Sequence, residues 1–287
     1  MKIGVSSYSY SKYMQETGAD YFEVAALAKK QGFDGIEFLQ LKKREQDKDL
    51  LETAAALLKH CKELGIEICA YTIGADLLSG MDGGKAEDEV KRLKECVDVC
   101  SALGAKVMRH DIIWKLPKGL RSWHDAVELV VPAIREVTEY AQQLGVKTCT
   151  ENHGYIFQDS VRVETLIRTV NHPNFGWLVD MGNFTCADEP CNYAVGIAAP
   201  YAFHVHAKDF LIKSGNEIDP GQGWFRSRGG NYLRGTVVGH GEIPVVQCLH
   251  IIKNAGYQGW VSLEFEGMED NLAAVEAGLA YLRRITQ

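Results

Sequence analysis

The sequence lacks the features that mark membrane, secreted and nucleic-acid-binding proteins. No apolar run approaches the roughly 20 residues of a membrane span, and the start, MKIGVSSYSY, lacks the charged and then apolar pattern of a signal peptide. Lysine and arginine total 31 against 38 aspartates and glutamates, and the resulting net charge of −7 disfavours binding to a phosphate backbone. We therefore expect a cytoplasmic protein with no membrane and no nucleic-acid partner.

Proline and paired cysteines are also scarce. Only 7 of the 287 residues are proline and 46% are hydrophobic, a composition that excludes a disordered or collagen-like chain. The cysteines, none of them in a Cys-x-x-Cys motif, are Cys61, Cys69, Cys96, Cys100, Cys149, Cys186, Cys191 and Cys248. Several lie in apolar strand-like or helical patterns, so we expect reduced thiols in the core rather than disulfides.

A repeated local pattern runs through the chain. An amphipathic helix is followed by a glycine and then by a brief apolar run, as in KELGIEICAYTI and SALGAKVMRHDI. The glycine stands where a helix ends in the left-handed conformation, and the apolar run is short enough for a buried parallel strand. The repetition predicts alternating strands and helices.

Eight such units cover the sequence. The predicted strands are 3–8, 35–39, 66–72, 106–111, 146–151, 176–180, 202–206 and 260–265. The predicted helices are 20–31, 48–64, 87–103, 122–144, 160–170, 191–198, 245–255 and 271–285. This alternation predicts an α/β fold, a single (β/α)8 barrel domain over residues 1–287. An open doubly wound sheet is the alternative, but no Gly-x-Gly-x-x-Gly follows the first strand.

One connection is much longer than the others. The chain runs from His206 to Val245 without a predicted helix, whereas a βα loop usually has about 2–6 residues. The segment contains aromatic residues, three arginines and many glycines. We expect residues 208–242 to form a structured loop over the active site.

Ionisable residues end four successive predicted strands. They are Glu151, Asp180, His206 and Glu264. In a barrel the carboxyl ends of the strands carry the chemistry, so these side chains can converge on one point. Three carboxylates and one imidazole suit Mn²⁺, Mg²⁺, Co²⁺ or Zn²⁺, and a cation would offset the repulsion between the carboxylates.

The motifs around these residues carry a family resemblance. TCTENHG, LVDMGNF, HVHAKDF, GHGEIP, GWVSLEFEG and, at the second strand, GFDGIEF resemble the xylose isomerase-like (endonuclease IV-like) TIM-barrel superfamily of sugar phosphate isomerases and epimerases. The match covers nearly the whole chain. Within it, Asp-x-Gly-Asn, His-x-Lys-Asp and Gly-x-Gly look most like the ketose 3-epimerases that act on ribulose 5-phosphate or on free ketohexoses such as tagatose.

The resemblance implies a mechanism. Glu151, Asp180, His206 and Glu264 would hold one divalent metal ion, most simply Mn²⁺, with Glu151 and Glu264 on opposite sides of a bound sugar. One glutamate would remove a proton and the other return one through a metal-stabilised enediolate. In an aldose–ketose isomerase the proton would instead move between adjacent carbons. The sequence does not decide between an epimerase and an isomerase.

Further residues are expected at the substrate. Arg234 is the basic residue placed nearest to it, and Arg226, Arg228 or Arg234 would bind a phosphate if one is present. The other expected contacts are His153, Asn183, Lys208, Glu37 and Tyr8. The candidate pocket walls are Tyr8, Tyr10, Arg109, His110 and Trp114. Asn183 stands where several relatives carry histidine. Lys208 and Asp209 form an ion pair beside the metal or contact substrate, His204 is a hydrogen-bonded core residue, and Glu266 is an alternative to Glu264.

Other activities of the same superfamily were weighed. Inosose and 3-dehydroshikimate dehydratases use the same barrel and metal ligands, so a dehydratase is the alternative function. An apurinic endonuclease would need more histidines than the 9 present and a basic face. The expected partner is a small carbohydrate, and self-association into a homo-oligomer is a further expectation.

Overall fold

Parallel strands close into a barrel in the computed structural model, which describes residues 1–82 and 84–286. The predicted domain 1–287 thus includes two residues, 83 and 287, outside the described part. The strands of the described part are β1 (Lys2–Ser6), β2 (Gly35–Leu39), β3 (Glu67–Ile73), β4 (Val107–His110), β5 (Lys147–Glu151), β6 (Phe175–Asp180), β7 (Ala202–Ala207), β8 (Asp209–Lys213), β9 (Phe225–Arg226), β10 (Tyr232–Thr236) and β11 (Trp260–Leu263). The barrel order is β1-β11-β7-β6-β5-β4-β3-β2, which confirms the predicted TIM barrel.

Helices follow the barrel strands. In the same part of the chain they are α1 (Ser11–Thr17), α2 (Tyr21–Gln31), α3 (Leu50–Leu64), α4 (Ala86–Ala102), α5 (Trp123–Gln143), α6 (Ser160–Val170), α7 (Cys191–Ala198), α8 (Val245–Asn254) and α9 (Asn271–Ile285). Every predicted barrel strand and helix is present, with ends within about two residues of those expected. Helix α1 was not predicted; it has no buried residue, so no apolar periodicity marks it.

Capping residues stand at the ends of the helices. Asp20 begins α2 by accepting hydrogen bonds from the amides of Phe22 and Glu23. Gly32 and Gly65 end α2 and α3 with φ of 97° and 68°, the left-handed region that glycine adopts without steric cost.

Strand alternation stacks side chains in layers inside the barrel. Successive side chains of a strand point to opposite faces, so the residue two positions before each strand-end group lies one layer deeper. These deeper residues are Cys149, Leu178, His204 and Ser262, all completely buried. They form the floor beneath the strand-end groups.

The long connection contains three short strands. Strand β8 begins two residues after β7 ends and pairs antiparallel with β10, which also pairs with β9. The Asp209 carboxylate accepts hydrogen bonds from the amides of Phe210, Gly239, Gly241 and Ile243. A Cβ at Gly241 would collide with that carboxylate, so glycine is required there. Asp209 therefore holds the two ends of the loop together. The ion pair between Lys208 and Asp209, one of the two predicted possibilities, is not formed.

Two further observations concern the cysteines and the helices. The cysteines are free thiols, buried except for the half-buried Cys186. Within residues 1–82 and 84–286, no helix combines the length and apolarity needed to cross a membrane.

Candidate metal centre

The four strand-end residues meet at one point. Each of Glu151, Asp180, His206 and Glu264 offers one ligand atom, and these atoms lie within 4.8 Å of one another. His206 Nδ1 lies 3.9 Å from Glu151 Oε1, 3.8 Å from Asp180 Oδ2 and 3.6 Å from Glu264 Oε2. Metal bonds of about 2.0–2.2 Å place neighbouring donors about 3–4 Å apart, so this spacing suits one shared cation.

Two of these atoms are buried without a hydrogen-bond partner. They are Asp180 Oδ2, which has the Lys208 ammonium 3.4 Å away, and His206 Nδ1. The second carboxylate oxygen of Asp180 accepts hydrogen bonds from the amides of Gly182 and Asn183, which holds Oδ2 towards the cluster. Because buried polar atoms are rarely left unsatisfied, these two atoms fit a bound cation.

The opposite side of the His206 ring is held by a carboxylate. His206 Nε2 lies 2.8 Å from Glu37 Oε2, and His204 Nε2 lies at the same distance from that oxygen. Glu37, His204 and His206 are all essentially inaccessible to solvent. A histidine that donates from one ring nitrogen to a carboxylate presents the other to a metal, so Glu37 orients His206.

Cations flank the carboxylates. Lys208 Nζ lies 2.6 Å from Glu264 Oε2 and 3.4 Å from Asp180 Oδ2. Burial acts to raise the pKa of Glu264, but the Lys208 ammonium and His206 hold it well below its usual value. For Glu151, burial prevails and raises the pKa although Arg109 Nη2 lies 2.8 Å from its Oε2.

A cavity of about 150 Å³ opens above the cluster. Its lining residues are Tyr8, Leu39, Thr72, Arg109, Glu151, His153, His206, Lys208, Glu264 and Glu266. Four predicted contacts, Tyr8, His153, Lys208 and the alternative ligand Glu266, therefore face the same space as the two predicted catalytic glutamates. Glu266 contacts Lys208 at 3.3 Å, whereas Glu264 is the glutamate of this pair that joins the four-residue cluster.

Hydrogen bonds hold Asn183 at the cluster and His153 beside it. Asn183 Nδ2 donates to Glu151 Oε1 at 2.9 Å, and its Oδ1 accepts from Lys208 Nζ at 3.2 Å. His153 Nδ1 lies 3.0 Å from Asp111 Oδ1. Asn183 thus contacts a residue of the cluster, and His153 lines the cavity above it.

Two predicted substrate contacts lie elsewhere. Glu37 is fully buried behind His206 and does not line the cavity, because its position on β2 points it at the two histidines of β7. Arg234 packs over the Trp224 ring with its guanidinium carbon 5.5 Å from the ring centroid, and Nη2 lies 3.8 Å from Glu269 Oε1. Arg234 lines neither this cavity nor a second, adjoining cavity of about 190 Å³.

Some residues of the centre were not predicted. Asn152 accepts hydrogen bonds from Trp177 Nε1 and from the Asp180 amide, and donates to the Asp180 carbonyl, so it fixes the end of β6. Asp111 contacts both Arg109 and His153. Both are buried polar residues. Their position next to a strand end is the one sequence signal that could have identified them.

A barrel of eight parallel strands with a carboxylate and histidine cluster at their carboxyl ends defines a TIM-barrel protein with a candidate metal centre. The chain belongs to the xylose isomerase-like TIM barrel family, whose sequence model matches residues 25–285.

Solved structures share this fold at low sequence identity. The probable 3-DHS dehydratase AsbF of Bacillus anthracis is 17% identical, with a TM-score of 0.76 and 99% of both chains covered. The IolI protein with a bound zinc atom is 18% identical, with a TM-score of 0.76 and 99% and 98% covered. D-psicose 3-epimerase of Clostridium cellulolyticum H10, solved with D-tagatose, is 17% identical, with a TM-score of 0.73 and 100% of both chains covered.

One curated relative matches part of the chain. It is an uncharacterized protein of Methanocaldococcus jannaschii, 23% identical over 163 residues, which are 54% of this chain and 48% of the relative. The chain thus matches about half the length of that relative.

Proposed function

We propose that the protein is a divalent-metal-dependent epimerase or isomerase of a sugar or sugar phosphate. The observation that carries this proposal is the position of two glutamates around one cavity. Glu151 ends β5 and Glu264 follows β11, with β7 and β6 between these strands in the barrel. Both side chains face the cavity and flank Asp180 and His206, so a substrate above the cluster would have a carboxylate on each side.

Different side chains hold the two glutamates in place. Arg109 and Asn183 bind the two oxygens of Glu151, and Lys208 binds Glu264. These contacts fix both carboxylates, as proton removal and return at one carbon require. Glu151, Asp180, His206 and Glu264 would hold a divalent ion, which would supply the Lewis-acid chemistry that acidifies a C–H next to a ketose carbonyl. Oxygen ligands with one imidazole favour Mn²⁺ among the candidates.

Dehydration is the second candidate function. Lys208 lines the cavity with its ammonium group next to Glu264 and can protonate a departing hydroxyl group. The fold similarity to the probable dehydratase AsbF adds support. In that reaction the same proton abstraction is followed by loss of water.

Isotope exchange separates these functions. The protein, loaded in turn with Mn²⁺, Mg²⁺, Co²⁺ and Zn²⁺, is incubated in D₂O with a panel of ketoses and ketose phosphates, and products are followed by NMR. Deuterium incorporation with conversion to an epimer or aldose supports the main proposal, whereas enone absorbance supports dehydration. Loss of exchange in Glu264→Gln, with retention in the exposed control Glu63→Gln, is expected. No exchange with any substrate and metal would contradict the proposal.

A further inference from the structure

A second cavity adjoins the one above the candidate metal centre. Its volume is about 190 Å³, and His153, Lys208 and Glu266 line both cavities. The remaining lining residues are Trp114, Gly154, Tyr155, Gln158, Asn183, Cys186, Phe225 and Arg226. A molecule bound at the metal centre can therefore extend past the three shared side chains into this second space.

The second cavity combines aromatic side chains with the amide of Gln158. Trp114, Tyr155 and Phe225 are large side chains that remain partly exposed there, and Trp114 stacks edge-on against His153. Gln158 is 5% exposed, and within residues 1–82 and 84–286 its amide makes no hydrogen bond. A buried amide that faces a cavity without a partner is free to bind a polar ligand.

Arg226 differs from the other two arginines of its loop. Arg228 pairs with Asp159 at 2.7 Å and Arg234 lies 3.8 Å from Glu269, whereas no carboxylate of the described residues lies within ion-pair distance of Arg226. Its guanidinium is nevertheless positioned: it lies over the Tyr232 ring at 4.2 Å, Nη1 donates to the Gly230 carbonyl, and Nη2 donates to the Tyr232 hydroxyl. A fixed guanidinium group without an acidic partner has donors left for a ligand.

The position of Arg226 favours an anion at its end of the cavity. The cationic groups of the cavity are Lys208 and Arg226, and its acidic group is Glu266. Lys208 is shared by the carboxylates of Glu266, Glu264 and Asp180, whereas no carboxylate of the described residues forms an ion pair with Arg226. Guanidinium groups bind phosphate and carboxylate oxygens through two parallel hydrogen bonds.

We propose that the second cavity is an oxyanion subsite, in which Arg226 and Gln158 bind a phosphate or carboxylate group at the end of the substrate remote from the reacting carbon. The assignment of the reacting end rests on the proposed function; the anion site itself does not. Arg226 is the principal charged partner of the bound group, and the partly exposed side chains of Trp114, Tyr155 and Phe225 pack beside it.

Equilibrium binding tests the subsite without any turnover. Inorganic phosphate and malonate are titrated into the metal-free protein, and Trp fluorescence and calorimetry report binding. Arg226→Gln should weaken the affinity for the preferred probe about tenfold or more, and Arg226→Lys should weaken it less, because a cation remains. Arg228→Gln, on the same loop but paired with Asp159, should bind as the wild type does.

The two probes distinguish the source of the oxyanion. Tighter phosphate binding indicates a phosphate ester, and tighter malonate binding indicates a carboxylate. Absence of binding of either probe, equal binding by the wild type and Arg226→Gln, or equal weakening in Arg228→Gln overturns the proposal. Thermal unfolding of each variant shows whether a loss of binding reflects a loss of folding, and a folded Arg226→Lys with intermediate affinity supports the proposal independently.

Kinetics links the subsite to the reaction. With a ketopentose and its 5-phosphate as the substrate pair, Arg226→Gln should lower kcat/KM for the phosphate about tenfold or more, and by a much larger factor than kcat/KM for the unphosphorylated sugar. Probe binding that depends on Arg226, with no turnover of either sugar, would reject the proposed function and retain the subsite. Turnover of both sugars with the same kcat/KM in Arg226→Gln as in the wild type would retain the proposed function and reject the subsite.

Discussion

His206 donates from Nε2 to Glu37, 2.8 Å away, on the side of the imidazole opposite the carboxylate cluster. The ring is thereby held in the orientation that presents Nδ1 to Glu151, Asp180 and Glu264. Glu37 itself lies outside the cavity, so its effect on a metal ion must pass through His206.

Glu37→Gln should therefore weaken metal binding about 10–100-fold while keeping the volume of the side chain. The affinity is measured by competition with a chromophoric chelator for Mn²⁺ and Zn²⁺. The matched control is Glu67→Gln, a largely exposed glutamate at the start of the neighbouring strand, which should leave the affinity unchanged. An unaltered affinity in Glu37→Gln would show that the orientation of His206 does not depend on this carboxylate.

Asp180 combines a structural and a proposed metal-binding role in its two oxygens. Oδ1 caps the turn after β6 through the amides of Gly182 and Asn183, and Oδ2 faces the cluster. Asp180→Asn preserves an oxygen for the turn and removes the charge from the cluster. Metal affinity should fall by more than about 100-fold, since a ligand matters more than its supporting partner, whereas circular dichroism of the metal-free protein should be unchanged. Retained affinity would exclude Asp180 as a ligand.

The barrel was predictable because its signals are local. Most barrel strands are short apolar runs that follow a helix and a glycine, and burial on both faces leaves these runs visible in the sequence. Helix α6 is followed instead by Asn171 and α7 by Ala199. The strand-end groups followed from the same register: once β5, β6, β7 and β11 were placed, Glu151, Asp180, His206 and Glu264 had to lie at one rim. Helix α1 had no such signal, since none of its residues is buried.

The contacts between distant segments were not predictable in this way. Glu37 was expected at the substrate, but β2 places it behind His206, and only the three-dimensional barrel brings these two residues together. Arg234 was preferred over Arg226 from its loop motif. The pairing of β10 with β8 and β9 places Arg226 at the second cavity and Arg234 beside Trp224. A cytoplasmic location and a homo-oligomer stay predictions.

Lys208 offers a test of how the centre tolerates the absence of a metal. Its side chain is 5% exposed, and it contacts Asp180, Glu264 and Glu266. Lys208→Gln would leave these buried carboxylates without their cation, at a cost of about 3–5 kcal/mol in the free energy of unfolding. Saturating Mn²⁺ should restore part of this loss, because binding to the folded state stabilises it.

Urea unfolding with and without Mn²⁺ measures both effects. Lys213→Gln, which removes the exposed partner of Glu217, is the control and should change the unfolding free energy by less than about 1 kcal/mol. Equal destabilisation of Lys208→Gln in the presence and absence of Mn²⁺ would mean that the ion does not compensate these carboxylates.

Asp34 provides a prediction about pH that is independent of the metal centre. Its carboxylate accepts hydrogen bonds from the Ile3 amide in β1 and from Arg283 in α9, and so joins the first strand to the last helix. Burial acts to raise its pKa, but Arg283 and the Ile3 amide prevail and lower it. The stabilisation from a lowered carboxyl pKa is complete above the unfolded value, about 3.9, and disappears as the pH falls through the folded value.

Asp34→Asn should therefore be less stable than the wild type at neutral pH, and this difference should shrink as the pH is lowered below about 4. Urea unfolding at pH 7 and at successively lower pH values measures it. Asp49→Asn is the control: Asp49 caps α3 through the Glu52 amide, and asparagine is an equally good N-cap residue. A difference between Asp34→Asn and the wild type that is constant over the whole range would show that the contribution of Asp34 comes from its hydrogen-bond geometry rather than from its charge.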